Sequence, residues 1–268
     1  TTDRNRTSPF AFTGNKFEFR MVGSTMSIAG PNFVLNTVVG KELKEFADAL
    51  EGSKNFKADL HNLIVKTIKD HERILFNGNG YDDAWIEEAE KRGLCNLKTT
   101  PDCLPYFLSD KNVSLFTESG VLTKTEMESR YDITLEAYCK VIGIEAATML
   151  DMAKKDILPA VTAYIKELAD TAVAKKTFIP MCECSYEEDI VAKASALSSK
   201  LYSAVKELED NMAKASEIGG ITELSMFYKD YIIPSMDAVR APADELETIT
   251  AKKYWPFPTY GDLLFGVR

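Results

Sequence analysis

The sequence lacks an excess of positive charge and lacks a long hydrophobic run. Its 268 residues carry 32 Lys and Arg against 41 Asp and Glu, which gives a net charge of −9 at pH 7. Because nucleic-acid-binding proteins present basic surfaces, we expect no nucleic acid among the partners. No apolar stretch reaches the roughly 18 residues that span a bilayer, so we expect a soluble protein without a membrane segment.

Cysteine and histidine are also scarce. The five cysteines are Cys95, Cys103, Cys139, Cys182 and Cys184. An odd number in a chain this long, with no recognisable signal peptide, argues against a disulfide framework and favours a reducing cytoplasm. One residue separates Cys182 from Cys184, whereas two to four usually separate paired zinc ligands, and the two histidines, His61 and His71, are distant in sequence. We interpret Cys182 and Cys184 as ordinary thiols beside a loop.

Charged and apolar residues alternate near the start of the chain, where Lys16, Glu18 and Arg20 alternate with Phe17, Phe19 and Met21. This period of two predicts a strand with one polar face. Glu18 and Arg20 should lie about 7 Å apart along that face. A carboxylate suits a hard divalent cation and a guanidinium suits an anion, so the pair could hold a metal beside an anionic substrate. The alternative is a solvated strand face with ordinary charge pairs.

Two further arginines, Arg4 and Arg6, precede this strand in a short polar stretch. Arginine suits bidentate binding of phosphate or carboxylate. The sequence opens without a methionine and passes almost at once into the predicted strand. We therefore expect a piece of a larger protein.

From about residue 33 onward the pattern is helical nearly to the end. The first helix should end at Gly52, because glycine is common just after a helix. A second helix should begin with Ser53 as its N-cap. A short helix from about 84 to 92 should follow, capped by Asp82 or Asp83.

Two long helical stretches follow and share a coiled-coil pattern. Capping-box spacing occurs at Thr123–Glu126 and again at Ser185–Glu188. Apolar residues at steps of three and four then form one seam at Leu158, Val161, Ile165, Leu168 and Ala172, and a second at Ile190, Ala194, Leu197, Leu201, Val205, Leu208, Met212 and Ala215. The short connection between them predicts an antiparallel hairpin over about 123–218, with a kink or junction at Pro159.

The tail from 254 to 268 is aromatic and proline-rich, and Pro256 and Pro258 argue against a helix there. Such an apolar segment should dock on its own bundle or on a neighbouring subunit. The predicted fold class is mainly α: a helical bundle with a long antiparallel helical hairpin, preceded by a short β segment left over from an α+β catalytic domain.

The run from Arg4 to Arg20 resembles the late catalytic segment of glutamine synthetases, which carry an Arg-Asn-Arg-Ser stretch followed by an Arg-Ile-Glu-x-Arg strand. Residues 27–32, the long helical region and the tail from Trp255 to Phe265 are similar to the large type III class. The resemblance implies that residues 1–50 end a catalytic domain and that residues 51–268 form the type III helical C-terminal domain.

The resemblance also implies roles for three residues. Glu18 matches a glutamate that binds Mg²⁺ or Mn²⁺, Arg20 matches the catalytic arginine that engages the glutamate side chain and the developing acyl phosphate, and Arg6 matches an arginine on the ATP phosphates. Glutamate and ammonia would be the substrates, and γ-glutamyl phosphate the intermediate. Ala11 stands where many members have another arginine, so that phosphate contact must be lost or replaced, for instance by Arg4.

The family implies a homo-oligomer, a dodecamer of two hexameric rings. Because its remaining metal ligands and nucleotide pocket lie upstream of Thr1 in the family pattern, we expect this chain alone to be inactive. Two other interpretations stay open. The helical part could act purely as an oligomerisation or regulatory module, or the chain could be a stand-alone helical bundle unrelated to catalysis.

Overall fold

The computed structural model describes residues 10–12, 16–21, 23, 26–76 and 82–266. The chain divides into two compact units, Thr1–Tyr131 and Asp132–Arg268. The domain boundary near residue 50 stays a prediction. The mainly α fold class is confirmed, since helices dominate the described residues and strands are short.

The first unit opens with two antiparallel strands, β1 (Phe10–Phe12) and β2 (Phe17–Phe19). Phe10 is paired with Phe19, and the ring of Phe10 stacks on that of Phe17 with centroids 4.9 Å apart. The predicted strand is present as β2, while β1 was not predicted.

Helix α1 spans Ala29–Leu50 and begins four residues before the predicted start at about 33. Its first turn contains Pro31, which a helix tolerates there because the missing N–H would have had no intrahelical acceptor. The predicted end is correct: Gly52 adopts φ +75°, a left-handed conformation that favours glycine.

Helix α2 (Phe56–Asp70) is capped by Asn55, whose side chain accepts a hydrogen bond from the Ala58 amide. The predicted cap at Ser53 is therefore wrong, because the Ser53 hydroxyl donates to the Asp59 carboxylate instead. Helix α3 (Asp83–Lys91) begins as predicted, with Asp82 accepting from the Ala84 amide.

Short helical pieces complete the first unit: α4 (Thr100–Cys103), a 3₁₀ turn (Leu104–Leu108) and α5 (Asp110–Glu118). Its small buried core consists of Phe116, Leu122 and Met127. The ring of Phe116 contacts those of Phe33 and Phe107 at 5.9 and 5.8 Å between centroids.

Helix α6 (Lys124–Asp151) starts with the predicted capping box, in which Thr123 and Glu126 exchange hydrogen bonds. A π-helical segment (Met152–Ile157) and α7 (Leu158–Phe178) follow directly. The junction predicted at Pro159 is present as this segment. Proline removes an N–H and clashes with the carbonyl four residues earlier, and the wider π turn accommodates both effects.

Helix α8 (Ser185–Ala215) runs back against α7 and forms the predicted hairpin. The predicted capping box at Ser185 is wrong: Ser185 is already helical and Cys184 precedes it without a side-chain cap. Glu187 and Glu188 instead pair with Lys175 and Lys176 of α7.

Helix α9 (Ile221–Phe227), a second π-helical segment (Tyr228–Ile232) and α10 (Ile233–Ile249) close the bundle. Pro234 again follows the π turn directly. Helix α10 packs on α8, where buried Asn211 donates to the Ser235 hydroxyl at 2.8 Å. The core of the second unit contains most residues of both predicted seams, and the larger buried side chains of α8 are Leu197, Leu201, Val205 and Leu208.

The tail divides into two parts. Trp255 and Phe257 pack against the bundle core, so the predicted docking on the chain's own bundle holds for them. A short helix, α11 (Tyr260–Phe265), then follows the second proline. Its presence corrects the expectation of a tail without helix, because the prolines exclude helix only up to residue 258. No helix among the described residues combines the length and apolar character needed to cross a membrane.

Candidate metal and substrate site

Strand β2 presents Glu18 on the face opposite the neighbouring Phe17 and Phe19 side chains, because successive side chains point to opposite faces. Glu18 lies across from Ala11 in the register. Arg20 follows two residues later, on the same side as Glu18. The sequence alternation therefore brings a carboxylate and a guanidinium together at the edge of a two-stranded ribbon.

The two groups form a direct ion pair. The Nε and Nη2 atoms of Arg20 donate to Oε2 of Glu18 at 3.3 and 3.1 Å. Their side chains are only 24% and 28% exposed, so water screens the pair less than a pair on an open surface. Both charges are thus held on one face in a partly dry setting.

Glu18 is chemically suited to a hard cation such as Mg²⁺ or Mn²⁺, since carboxylate oxygens are the ligands these ions prefer. It supplies one ligand only. Within the described ranges, no group of three or more His, Cys, Asp and Glu residues could hold a metal ion. Arg4 and Arg6 lie outside the described residues, as does the side chain of Ala11.

The cysteines are all free thiols. Burial raises the pKa of the Cys139 and Cys184 thiols, which keeps them protonated and poorly nucleophilic. Cys184 lies in the loop before α8, whereas Cys139 lies within α6, and both side chains are buried.

The second unit contains a cavity of about 570 Å³ that was not predicted from the sequence. Its lining includes Met149, Met152 and Met236 together with Trp255 and Phe257. The signal was present as methionines lying off the two predicted seams, but apolar residues on a helix are more often core than cavity wall.

The sequence is similar to those of known glutamine synthetases. A family model described as "Glutamine synthetase C-terminal domain" matches residues 59–176. A glutamine synthetase of Butyrivibrio fibrisolvens is 41% identical over 271 residues, which covers 100% of this chain and 38% of that protein. The "Type-3 glutamine synthetase" of Dictyostelium discoideum is 39% identical, covering 99% and 37%. A glutamine synthetase of Bacteroides fragilis is 30% identical, covering 99% and 37%.

The fold defines a mainly helical chain, and these matches align it with one portion of proteins that are named glutamine synthetase. The chain belongs to the glutamine synthetase family, and its resemblance to the C-terminal portion of the type III class is confirmed. It spans about 38% of the length of the first relative named above, and a similar share of the other two.

Proposed function

We propose that the whole protein is a glutamine synthetase, which joins glutamate and ammonia at the expense of ATP. In this reaction the γ-carboxylate of glutamate takes the terminal phosphoryl group of ATP, and ammonia then displaces phosphate from γ-glutamyl phosphate. Residues 1–50 would end the catalytic domain, and residues 51–268 would form the helical C-terminal domain. The observation that carries the proposal is the Glu18–Arg20 pair on one strand face of a chain similar along its full length to such enzymes.

The residue roles follow from charge. ATP and glutamate are both anionic, so a site that brings them together needs positive charge at the phosphates and at the carboxylate. We assign Glu18 as a ligand of Mg²⁺ or Mn²⁺, Arg20 as the group that binds the glutamate side chain and stabilises its acyl phosphate, and Arg6 as a phosphate contact. When bound, the cation neutralises nucleotide phosphates.

The ion pair suggests how Glu18 and Arg20 change partners. In the described structure Oε2 of Glu18 accepts from both guanidinium nitrogens of Arg20. If Glu18 held a cation, its charge would be compensated there, and the planar guanidinium group of Arg20 would be available to the substrate carboxylate, which matches it in shape. The pair therefore keeps each charge compensated before the substrates bind.

The test is Glu18→Gln in the complete enzyme, since this change removes the charge and keeps the shape. We expect turnover to fall by about 100-fold or more, and the concentration of Mg²⁺ at half-maximal rate to rise about tenfold. The matched control is Glu42→Gln, an exposed glutamate on α1, which should leave both quantities unchanged. Full turnover of the Glu18 variant with unaltered metal dependence would remove Glu18 from the site.

Taken alone, the chain should be inactive, because Glu18 is a single carboxylate and a catalytic cation needs several ligands. We further propose that the protein works in a reducing compartment, the cytoplasm, where its five free cysteines stay reduced.

A second candidate function is assembly, through the helical part of the chain. The observation that favours it is the exposed apolar end of the tail: Leu263, Leu264 and Phe265 are 67%, 71% and 82% exposed. Large apolar side chains clustered in this way are typical of subunit contacts. We propose a homo-oligomer, for which the family implies two hexameric rings. Glu18→Gln should lower turnover and leave the particle mass unchanged, whereas substitutions in α11 should change the mass.

A further inference from the structure

The cavity of the second unit has the size and character of a small-molecule site. It measures about 570 Å³ and lies between the end of α6, the π-helical segment after it, α10 and the tail. Pockets for small ligands typically measure about 300–1,000 Å³ and are mostly apolar with a few polar groups. The walls here are supplied by Met149, Met152, Met236, Trp255 and Phe257.

The walls can adapt to a ligand. Methionine is unbranched and polarisable, so three methionines fit irregular shapes. The Trp255 indole N–H is buried and donates to no acceptor among the described residues, so packing alone holds the ring. Its edge faces Phe257 with ring centroids 6.1 Å apart. The π-helical segment contributes Met152, and such single-turn segments occur often at functional sites.

The rim of the cavity carries net negative charge. Arg240 and Asp244 neutralise each other through an ion pair of 3.1 Å. Glu145 and Glu247 also line the cavity, and neither has an ion-pair partner in the part of the chain that the structure describes. The chain as a whole has a net charge of −9, which adds to a potential that attracts cations.

We propose that this cavity binds a small organic cation, a molecule with an apolar aromatic or aliphatic body and a protonated amine or quaternary ammonium group. The body fills the space between the methionines, and the cation lies at the rim beside Glu145 and Glu247. The faces of Trp255 and Phe257 add cation–π attraction when the charge lies over them. Neither Glu18 nor Arg20 lines this cavity, and the proposal does not depend on the proposed reaction.

The test compares three probes that share one skeleton: 4-phenylbutylamine, which is protonated at pH 7, neutral 4-phenylbutanol and anionic 4-phenylbutyrate. The chain has two tryptophans, so Trp85→Phe leaves Trp255 as the one fluorescent indole. We expect the cation to change Trp255 emission and to bind at least about fivefold more tightly than the alcohol, with the acid weakest. The preference should shrink as salt is added, because salt screens rim charges.

Two kinds of variant locate the binding. Glu145→Gln with Glu247→Gln should bring the amine and the alcohol to equal affinity, while the exposed Glu217→Gln should keep the preference. Ala243→Phe should fill the cavity and weaken all three probes by at least about tenfold. Thr148→Phe, at an exposed lining position, serves the same purpose if the change at half-buried Ala243 disturbs folding.

Three results would overturn the proposal. They are no binding of the amine, equal binding of the amine and the alcohol to the unaltered rim, and affinities that both filling variants leave unchanged. Calorimetry on the same variants checks that the fluorescence change reports binding, and circular dichroism checks that each variant keeps its helix content.

Discussion

At the scale of single residues, the end of the hairpin offers two lysine–glutamate pairs that differ in burial. Lys175 of α7 pairs with Glu187 of α8, and Lys176 pairs with Glu188. The Glu187 side chain is 6% exposed, whereas that of Glu188 is 57% exposed. The hydrogen bond from Lys175, aided by a backbone N–H, lowers the pKa of Glu187. Glu187 is thus a buried carboxylate that depends on one neighbouring lysine.

This contrast gives a prediction for two neighbouring lysines. Lys175→Met leaves a buried carboxylate without its cation, which is costly, whereas Lys176→Met leaves an exposed carboxylate in water. We expect the first change to reduce the free energy of unfolding at least about threefold more than the second. Urea denaturation followed by circular dichroism measures both. Equal losses would mean that burial of Glu187 is not what makes its pair matter.

Several residue roles could be predicted because their signals are local. The Thr123–Glu126 capping box depends on a spacing of three, and both of its hydrogen bonds are present. The same spacing predicted a capping box at Ser185 that does not form. Glu187 and Glu188 pair instead with lysines on the facing helix, and such partners are set by tertiary packing. The placement of Glu18 beside Arg20 follows from strand alternation. The sequence does not predict that one carboxylate oxygen of Glu18 accepts both hydrogen bonds from Arg20.

At the scale of elements, α11 shows how a six-residue helix is held in place. Thr259 and Asp262 form a complete capping box, and Lys252 donates to the other carboxylate oxygen at 2.6 Å. These donors, Lys252 foremost, lower the pKa of Asp262 to about 2 from its usual 3.8. Because so short a helix is marginal by itself, its cap is a large part of what holds it.

A pH dependence follows for α11. The folded pKa of Asp262 is below its unfolded value, so ionisation favours the capped helix at pH values above about 4. That contribution is lost as the pH falls toward about 2. Carbon NMR of the Asp262 carboxyl group should give an apparent pKa near 2, and Lys252→Gln should raise it. Lys193→Gln, on α8, is the control and should not change it. A pKa at its usual value in the unaltered chain would mean that the cap does not form.

The helical hairpin could be predicted from repeated apolar spacing, because a seam of threes and fours persists over many turns. Of the two π-helical segments, the first could be located from the sequence only as a kink or junction near Pro159. A proline in the sequence shows where a regular α-helix is interrupted. Whether the helix then kinks or forms a wider π turn depends on what packs against it. The cavity beside the first segment results from that packing, so it could not be predicted from the sequence.

At the scale of the whole molecule, the C-terminal tail has a docked part and an exposed part. The first part of the tail is docked, since Trp255 and Phe257 pack against the bundle core. The α11 end beyond them exposes four large apolar side chains within six residues, namely Tyr260, Leu263, Leu264 and Phe265. Composition predicted that this tail docks, and the structure confirms docking for Trp255 and Phe257 while the apolar end of α11 is exposed.

The last prediction concerns assembly of the complete protein. If the apolar end of α11 is a subunit contact, Leu263→Ser with Phe265→Ser should produce a smaller particle, because polar side chains remove the apolar area that association buries. The control is Ile133→Ser with Val173→Ser, at positions 61% and 66% exposed but isolated, where single apolar residues are normal. Native mass spectrometry compares the two. A smaller mass for the α11 variant alone supports the contact, whereas an unchanged mass, with helix content preserved, means that association depends on another surface.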